Sequence, residues 1–235
     1  MSYALPPPPV VSLAVTGSDA RFPVRRIYCV GRNYEKHVLE MNEGADPRDP
    51  PFFFQKPRDA VVEDGATVPY PPATANLHHE VELVAAIGRG GAAIPLAEAL
   101  GHVSHYGVGI DLTRRDLQSE AKDHAWPWEM GKGFDHSAPI GPLSPADSVG
   151  HGPREITLAV DGAVRQQSST AAMTWSVAEI VAKLSEHYRL EPGDLILTGT
   201  PEGVGPIGPG AVLAARAEGL APLTVTIGPP EGSGA

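Results

Sequence analysis

The residues best suited to chemistry begin in the stretch NLHHEVEL, where Glu80 and Glu82 stand one residue apart. In a strand, side chains alternate faces, so both carboxylates point the same way with roots roughly 6.5–7 Å apart. Like charges on one face repel unless a cation lies between them. Asp111 ends the apolar run YGVGI and begins a turn, a position from which a carboxylate faces a cleft. Glu80, Glu82 and Asp111 together form a hard-oxygen donor set that suits Mg²⁺ or Mn²⁺ and leaves positions for water and substrate oxygens. Taken alone, a Glu-x-Glu pair equally describes a solvated strand face. A structural zinc site is not expected: there is no His-Glu-x-x-His and no Cys/His cluster, and the adjacent His78 and His79 face opposite ways in a strand.

Further candidates surround this set. His37 and Glu40 are three apart in NYEKHVLEMN, which reads as a short helix with Asn33 as its N-cap, so they share a face. A glutamate beside an imidazole raises its basicity and fixes its tautomer, which equips the pair to take a proton from water. An ordinary helix-surface pair has the same spacing. Lys132, in the glycine- and aromatic-rich PWEMGKGFDHSAP, is a candidate to stabilise an oxyanion. In TGTPEGVG, Thr198 and Thr200 end an apolar run and Gly199 lets backbone approach a ligand, offering donors to a carboxylate. No Gly-Lys-Ser/Thr follows, so this is not a phosphate loop. The single cysteine, Cys29, lies in the apolar RIYCVG and reads as a small core residue.

The elements that must position these residues are short and turn-rich. The chain has 235 residues, with 26 Gly and 25 Pro punctuating brief apolar runs, as a β-rich fold requires. FPVRRIYCVG, PPFFFQKP, LHHEVELVAAIG and HVSHYGVGID read as extended segments; TRRDLQSEAKD opens with the Thr-x-x-Asp pattern of a helix start. Asp161-Gly162, between alternating runs, predicts a hairpin. SVAEIVAKLSEH carries a capping box, Ser176 to Glu179, and places Val177, Ile180, Val181 and Leu184 on one face. The expected organisation is an extended arm over residues 1–21 and one α+β, β-rich catalytic domain over 22–235. A formal charge of -10 opposes nucleic-acid binding. No apolar run reaches membrane-spanning length, and no basic start followed by an apolar run marks a secretory signal, so a cytoplasmic protein is expected.

The order and wording of GRNYEKHVLEM, LHHEVEL, GIDLTRRDLQ, GKGFD and LEPGDLILTGTPEGVG together resemble the fumarylacetoacetate hydrolase family, its small acylpyruvase-type members in particular, over about residues 22–227. The opening FPVRRIYCVGRNYEKH with PPFFFQKP is similar to the bacterial branch acting on fumarylpyruvate. The resemblance implies a mixed, rolled, barrel-like β-sheet with few helices, usually in a homodimer. It implies a divalent ion, typically Mg²⁺ with Mn²⁺ or Ca²⁺ as alternatives, held by Glu80, Glu82 and Asp111. His37 and Glu40 match its water-activating pair, Lys132 its site lysine, Thr200 the threonine that meets the substrate carboxylate, and Arg115 and Gln118 the Arg and Gln after the aspartate. The implied reaction is hydrolysis of a 3-acylpyruvate C–C bond, with Gln118 and Lys132 as partners of the oxyanion. A distal carboxylate on the substrate calls for a cation, for which Arg32, Lys56, Arg114 and Arg165 are candidates. Oxaloacetate decarboxylation and 2-hydroxymuconate-type isomerisation remain open on the same metal platform. A non-catalytic metal-binding module is the alternative of another class, and the presence of both His37 and Glu40 argues against it.

Overall fold

A computed structural model of the chain describes residues 3–40 and 48–230. Two large sheets dominate. One has six strands in the order Ser144–Pro145, Val103–Ile110, Val81–Ile87, Asp194–Leu197, Arg26–Gly31 and Phe52–Lys56. Only Asp194–Leu197 against Arg26–Gly31 is parallel, so this sheet is mixed. The other has five strands, ordered Ala163–Ser169, Glu155–Val160, Val212–Ala217, Leu223–Pro230 and Thr67–Tyr70. Both orders are open-ended, so among the described residues neither sheet closes into a barrel. The helices are short: α1 (Glu35–Glu40), α2 (Arg115–Asp123), α3 (Glu129–Lys132), α4 (Ala146–Val149) and α5 (Val177–His187). The fold is α+β and β-rich, as expected.

The central strands of the six-stranded sheet are buried on both faces. Leu83, Ala85, Ile87, Tyr28 and Val30 pack against Ile180, Val181 and Leu184 of α5. Val84, Ala86, Ile27, Cys29, Leu195 and Leu197 point the other way. Residues 12–23, which run from the segment 1–21 expected to be an extended arm into the domain, form a hairpin of Ser12–Val15 and Ser18–Pro23. Its Leu13 and Phe22 fill this second core. Cys29 lies there with no exposed surface, and burial pushes its thiol well up, so it packs as a small apolar side chain. A third core joins Val81, Val108 and Ile110 to the inner face of the five-stranded sheet.

Local signals hold where they are strongest. Ser176 and Glu179 make the reciprocal capping box at the start of α5. Asp161 and Gly162 both take positive φ in the tight turn between Glu155–Val160 and Ala163–Ser169. Two expectations change. LHHEVELVAAIG is not one strand: Leu77–His79 pairs with Thr113–Arg114 and Gly205–Ile207 in a separate small sheet, and the chain changes sheet at Glu80. Thr113 does not cap α2, whose N-cap is Arg114 with no side-chain cap bond; the Thr113 hydroxyl instead accepts from Lys132. Among the described residues no helix is long and apolar enough to cross a membrane.

Candidate active site

Strand register assembles the carboxylates. Val81 pairs with Ile110, so Glu80 and Asp111 lie opposite each other one step beyond, joined by Asp111 N–H donating to the Glu80 carbonyl at 2.8 Å. Glu82, two residues along, faces Gly109, which brings no side chain to that position. Carboxylate oxygens from Glu80, Glu82 and Asp111 all lie within 4.8 Å of one another, and all three residues are buried. Glu82 is anchored by the next strand: Gly199 N–H donates to its Oε2 at 2.6 Å.

The cations divide unevenly among these carboxylates. Lys132 Nζ donates to Glu80 Oε2, Asp111 Oδ2 and Thr113 Oγ1, each at 2.7 Å, which uses all three ammonium protons. Arg115 donates to Glu80 Oε1. Lys56 Nζ lies 2.8 Å from Asp111 Oδ1, an ion pair rather than an aligned hydrogen bond, and donates to the carbonyls of Leu112 and Lys132. Burial disfavours the charge on Glu80, but Lys132 and Arg115 outweigh it and hold the carboxyl well below the usual range. Glu82 has the opposite balance: burial, then Asp111 and Glu80, push its carboxyl well up. A buried all-oxygen trio with one carboxylate uncompensated fits a hard divalent cation, whose charge would bring Glu82 back to its ionised form.

The trio lines a narrow pocket with about 30 Å³ of space open to a water-sized molecule. His37 of α1 and Thr200 line it. Arg115, Gln118 and Lys122 lie three and four residues apart on α2 and so share the face that lines it. Gln118 Oε1 accepts from Arg115 Nη1 at 2.5 Å. Arg32 and Lys122 also border the adjoining outer pocket with Trp128, which places both at the solvent end. The side chain of Glu40 lies outside the described residues.

Other expected residues fall elsewhere. Lys56 is not at the substrate end; its strand turns it under Asp111, where its ammonium has no exposed surface. Arg114 stacks over Phe134 at 4.4 Å. Arg165 is in the outer hairpin strand Ala163–Ser169. Asn33 directs its side chain to Trp175 and Thr198.

Gln166 was not expected. Fully buried, its Oε1 accepts from Val81 N–H at 3.0 Å and meets His79 Nδ1 at 3.0 Å, while its Nε2 donates to Thr200 Oγ1 at 2.9 Å and the Pro201 carbonyl at 3.0 Å. It therefore ties the carboxylate strand to the Thr200 turn. Its place in a surface-type hairpin, RQQSS, offers no sequence signal. The neighbouring His78 is pulled down to about 4 by burial and by Arg115, so it is neutral at physiological pH and its Nδ1 accepts from Arg115 Nε at 3.4 Å.

Comparison with known proteins agrees with this architecture. The family model described as fumarylacetoacetate (FAA) hydrolase C-terminal matches residues 26–228. Fumarylpyruvate hydrolase from Ralstonia sp is 43% identical over 180 residues, covering 77% of this chain and 94% of that one. The human mitochondrial oxaloacetate tautomerase FAHD1 is 37% identical over 208 residues, covering 88% and 93%. The crystal structure of fumarylpyruvate hydrolase from Pseudomonas aeruginosa, in complex with Mn²⁺ and pyruvate, superposes with a TM-score of 0.93 at 52% identity, covering 97% and 99%. Carboxylate trio, fold and matched length lead to one conclusion: the chain belongs to the fumarylacetoacetate hydrolase family.

Proposed function

We propose that the protein is a divalent-metal-dependent hydrolase that cleaves the C–C bond of a 3-acylpyruvate, with fumarylpyruvate as substrate and fumarate and pyruvate as products. The observation that carries this reading is the entry of His37 into the same pocket as the carboxylate trio. A metal-binding module has no use for an imidazole there, whereas hydrolysis needs a base for water. We propose Mg²⁺ as the resident ion; bound to Glu80, Glu82 and Asp111, it supplies Lewis acidity that stabilises negative charge on the substrate's 2-oxo group.

The protein's own groups account for the remaining steps. His37 takes a proton from water as the oxygen adds to the acyl carbonyl. Arg115 shares the face of α2 with Gln118 and fixes its amide oxygen, which leaves the Gln118 N–H donors for the tetrahedral oxyanion. The bond between the acyl carbon and C3 then breaks, its electron pair passing to C3 to form the pyruvate enolate. The proton held by His37 returns to C3, giving pyruvate and a carboxylic acid. Thr200, oriented by Gln166, donates to the substrate's 1-carboxylate. Lys132 spends its protons on Glu80, Asp111 and Thr113 and assists an oxyanion by exchanging one of them. Arg32 and Lys122 at the solvent end take the distal carboxylate of the fumaryl arm.

The resemblance to an oxaloacetate tautomerase at 37% identity supports a second reading, proton transfer on oxaloacetate at the same site. Protein supplied with Mg²⁺ is incubated with fumarylpyruvate, acetylpyruvate or oxaloacetate, each with a chelator control. Chelator-sensitive loss of fumarylpyruvate enol absorbance, with fumarate and pyruvate formed, is expected. Turnover of oxaloacetate alone would replace the hydrolase reading with the second. The homodimer implied by the family is tested separately by sedimentation.

A further inference from the structure

We infer that the strip Met173–Trp175 clamps the segment carrying α1, and that Asn33 is the positioning residue through which the clamp sets His37 against the carboxylate trio. The kinetic part of this inference rests on the hydrolase reading above; the geometric part does not.

Asn33 is 1% exposed. Its Nδ2 donates to the carbonyls of Thr198 at 2.7 Å and Trp175 at 3.0 Å, and its Oδ1 accepts from Trp175 N–H at 2.7 Å. Its own carbonyl accepts from Thr174 N–H at 2.8 Å, and Tyr34 bridges antiparallel to Met173. The same strip also meets Arg48, later in the chain than α1: Arg48 Nη1 donates to the Thr174 carbonyl at 2.8 Å, and its guanidinium lies 4.8 Å from the Trp175 ring centre. Behind the strip stands α5, fixed by its capping box and by Ile180, Val181 and Leu184 in the core. A helix as short as α1 has too few internal bonds to hold its own direction. Its orientation therefore leans on contacts outside the helix, and Asn33 and Tyr34, which lead into it, are held by one anchored strip.

Asn33 also meets the turn that carries the site. Gly199 has φ +96°, and a Cβ added there would come within 2.6 Å of Asn33 Cβ. The N–H of that same glycine holds Glu82, and the next residue, Thr200, lines the pocket. One amide side chain thus registers the base-bearing helix against the Glu82–Thr200 side of the site. Asn33 touches no reacting atom on this account and acts through His37.

The test uses full-length wild type, Asn33→Ala, Arg48→Ala, His37→Ala and the Asn33→Ala/His37→Ala double variant, all with Mn²⁺. Alanine keeps the Cβ that packs on Gly199. Expected for Asn33→Ala is a fall in kcat of roughly 10²-fold, as for a misplaced catalytic group. Its KM and Mn²⁺ affinity should be little changed, and amide exchange over residues 34–40 should be faster. In the His37→Ala background the same change should cost nothing further. Arg48→Ala, exposed and tolerant, should speed exchange over 34–40 and lower kcat to a smaller degree. A kcat loss that is fully additive with His37→Ala would overturn the inference. So would unchanged exchange over 34–40 in both Asn33→Ala and Arg48→Ala, or in Arg48→Ala alone where Asn33→Ala does not fold. Wild-type turnover in His37→Ala would refute the base assignment, and exchange would still decide the clamp.

Discussion

Lys132 supplies a buried positive charge to the trio. It bridges Glu80 and Asp111, two like charges that the sheet register sets face to face. Burial opposes its charge, but Asp111 and Glu80 raise its affinity for the proton, so the ammonium form is held in place. Lys132→Met would leave both carboxylates buried with less counter-charge. Removing one member of a buried pair costs about 3–5 kcal/mol. Urea unfolding of the chelated proteins should show that loss, and a divalent cation should restore proportionally more stability to the variant than to wild type. Equal midpoints under chelation would mean that Lys132 is not the counter-ion of the pair. Gln166 makes a second residue-scale prediction. Gln166→Leu keeps the volume but strands Val81 N–H and frees Thr200, at about 1–3 kcal/mol for the buried group left unsatisfied. Its KM should rise with Mn²⁺ affinity unchanged; a weakened metal site with normal KM would assign Gln166 to the trio instead.

At the scale of elements, α5 is the piece against which α1 is held, and its start is pH-sensitive. Burial opposes ionisation of Glu179, but bonds from Ser176, with Arg48 nearby, lower its folded-state pKa below the ordinary carboxylate value. A depressed carboxylate stabilises the fold above its unfolded pKa, and that contribution is lost as pH falls through the folded value. Glu179→Ala should therefore cost about 1 kcal/mol at pH 7 and less at pH 3, read from urea midpoints at both. An equal cost at the two pH values would separate the effect from the charge. This capping box was legible in the sequence because all its parts lie within four residues, as was the Asp161-Gly162 hairpin turn. The break at Glu80 was not, because no Gly or Pro interrupts Leu77–Ile87 to mark it. Only pairing with residues 113–114 and 205–207, remote in sequence, moves Leu77–His79 into another sheet. Lys56 was misplaced for a related reason: Phe52–Lys56 has no apolar–polar alternation to show which face meets the pocket. The family motifs pointed to the trio, His37, Lys132 and Thr200, which line one pocket, whereas Asn33 and Gln166 take their places through partners more than 30 residues away.

At the scale of the whole molecule, the site lies where the sheets meet, and its ligands are distributed through the fold. Glu80 is at the change of sheet, Glu82 is inside the six-stranded sheet and held by the end of Asp194–Leu197, and Asp111 closes Val103–Ile110. A cation bound to all three would therefore bind the folded chain better than the unfolded one, where Asp111 is no longer held beside the two glutamates. Such a ligand stabilises by about 2.7 kcal/mol when present at a hundred times its Kd. For a chain of this size that is a rise in Tm of roughly 5–10 °C, continuing with the logarithm of cation concentration. Wild type should show this rise with Mn²⁺ and lose it with chelator. Glu82→Ala removes the one carboxylate that burial and its neighbours leave uncompensated, so it should relieve repulsion in the metal-free state. Its chelated Tm should stay near that of chelated wild type, because the Gly199 N–H left without its acceptor offsets that relief, while its response to Mn²⁺ should disappear. The combination is diagnostic, because a residue of purely structural importance would lower both melting temperatures. An undiminished Mn²⁺ response in Glu82→Ala would place the cation elsewhere in the protein.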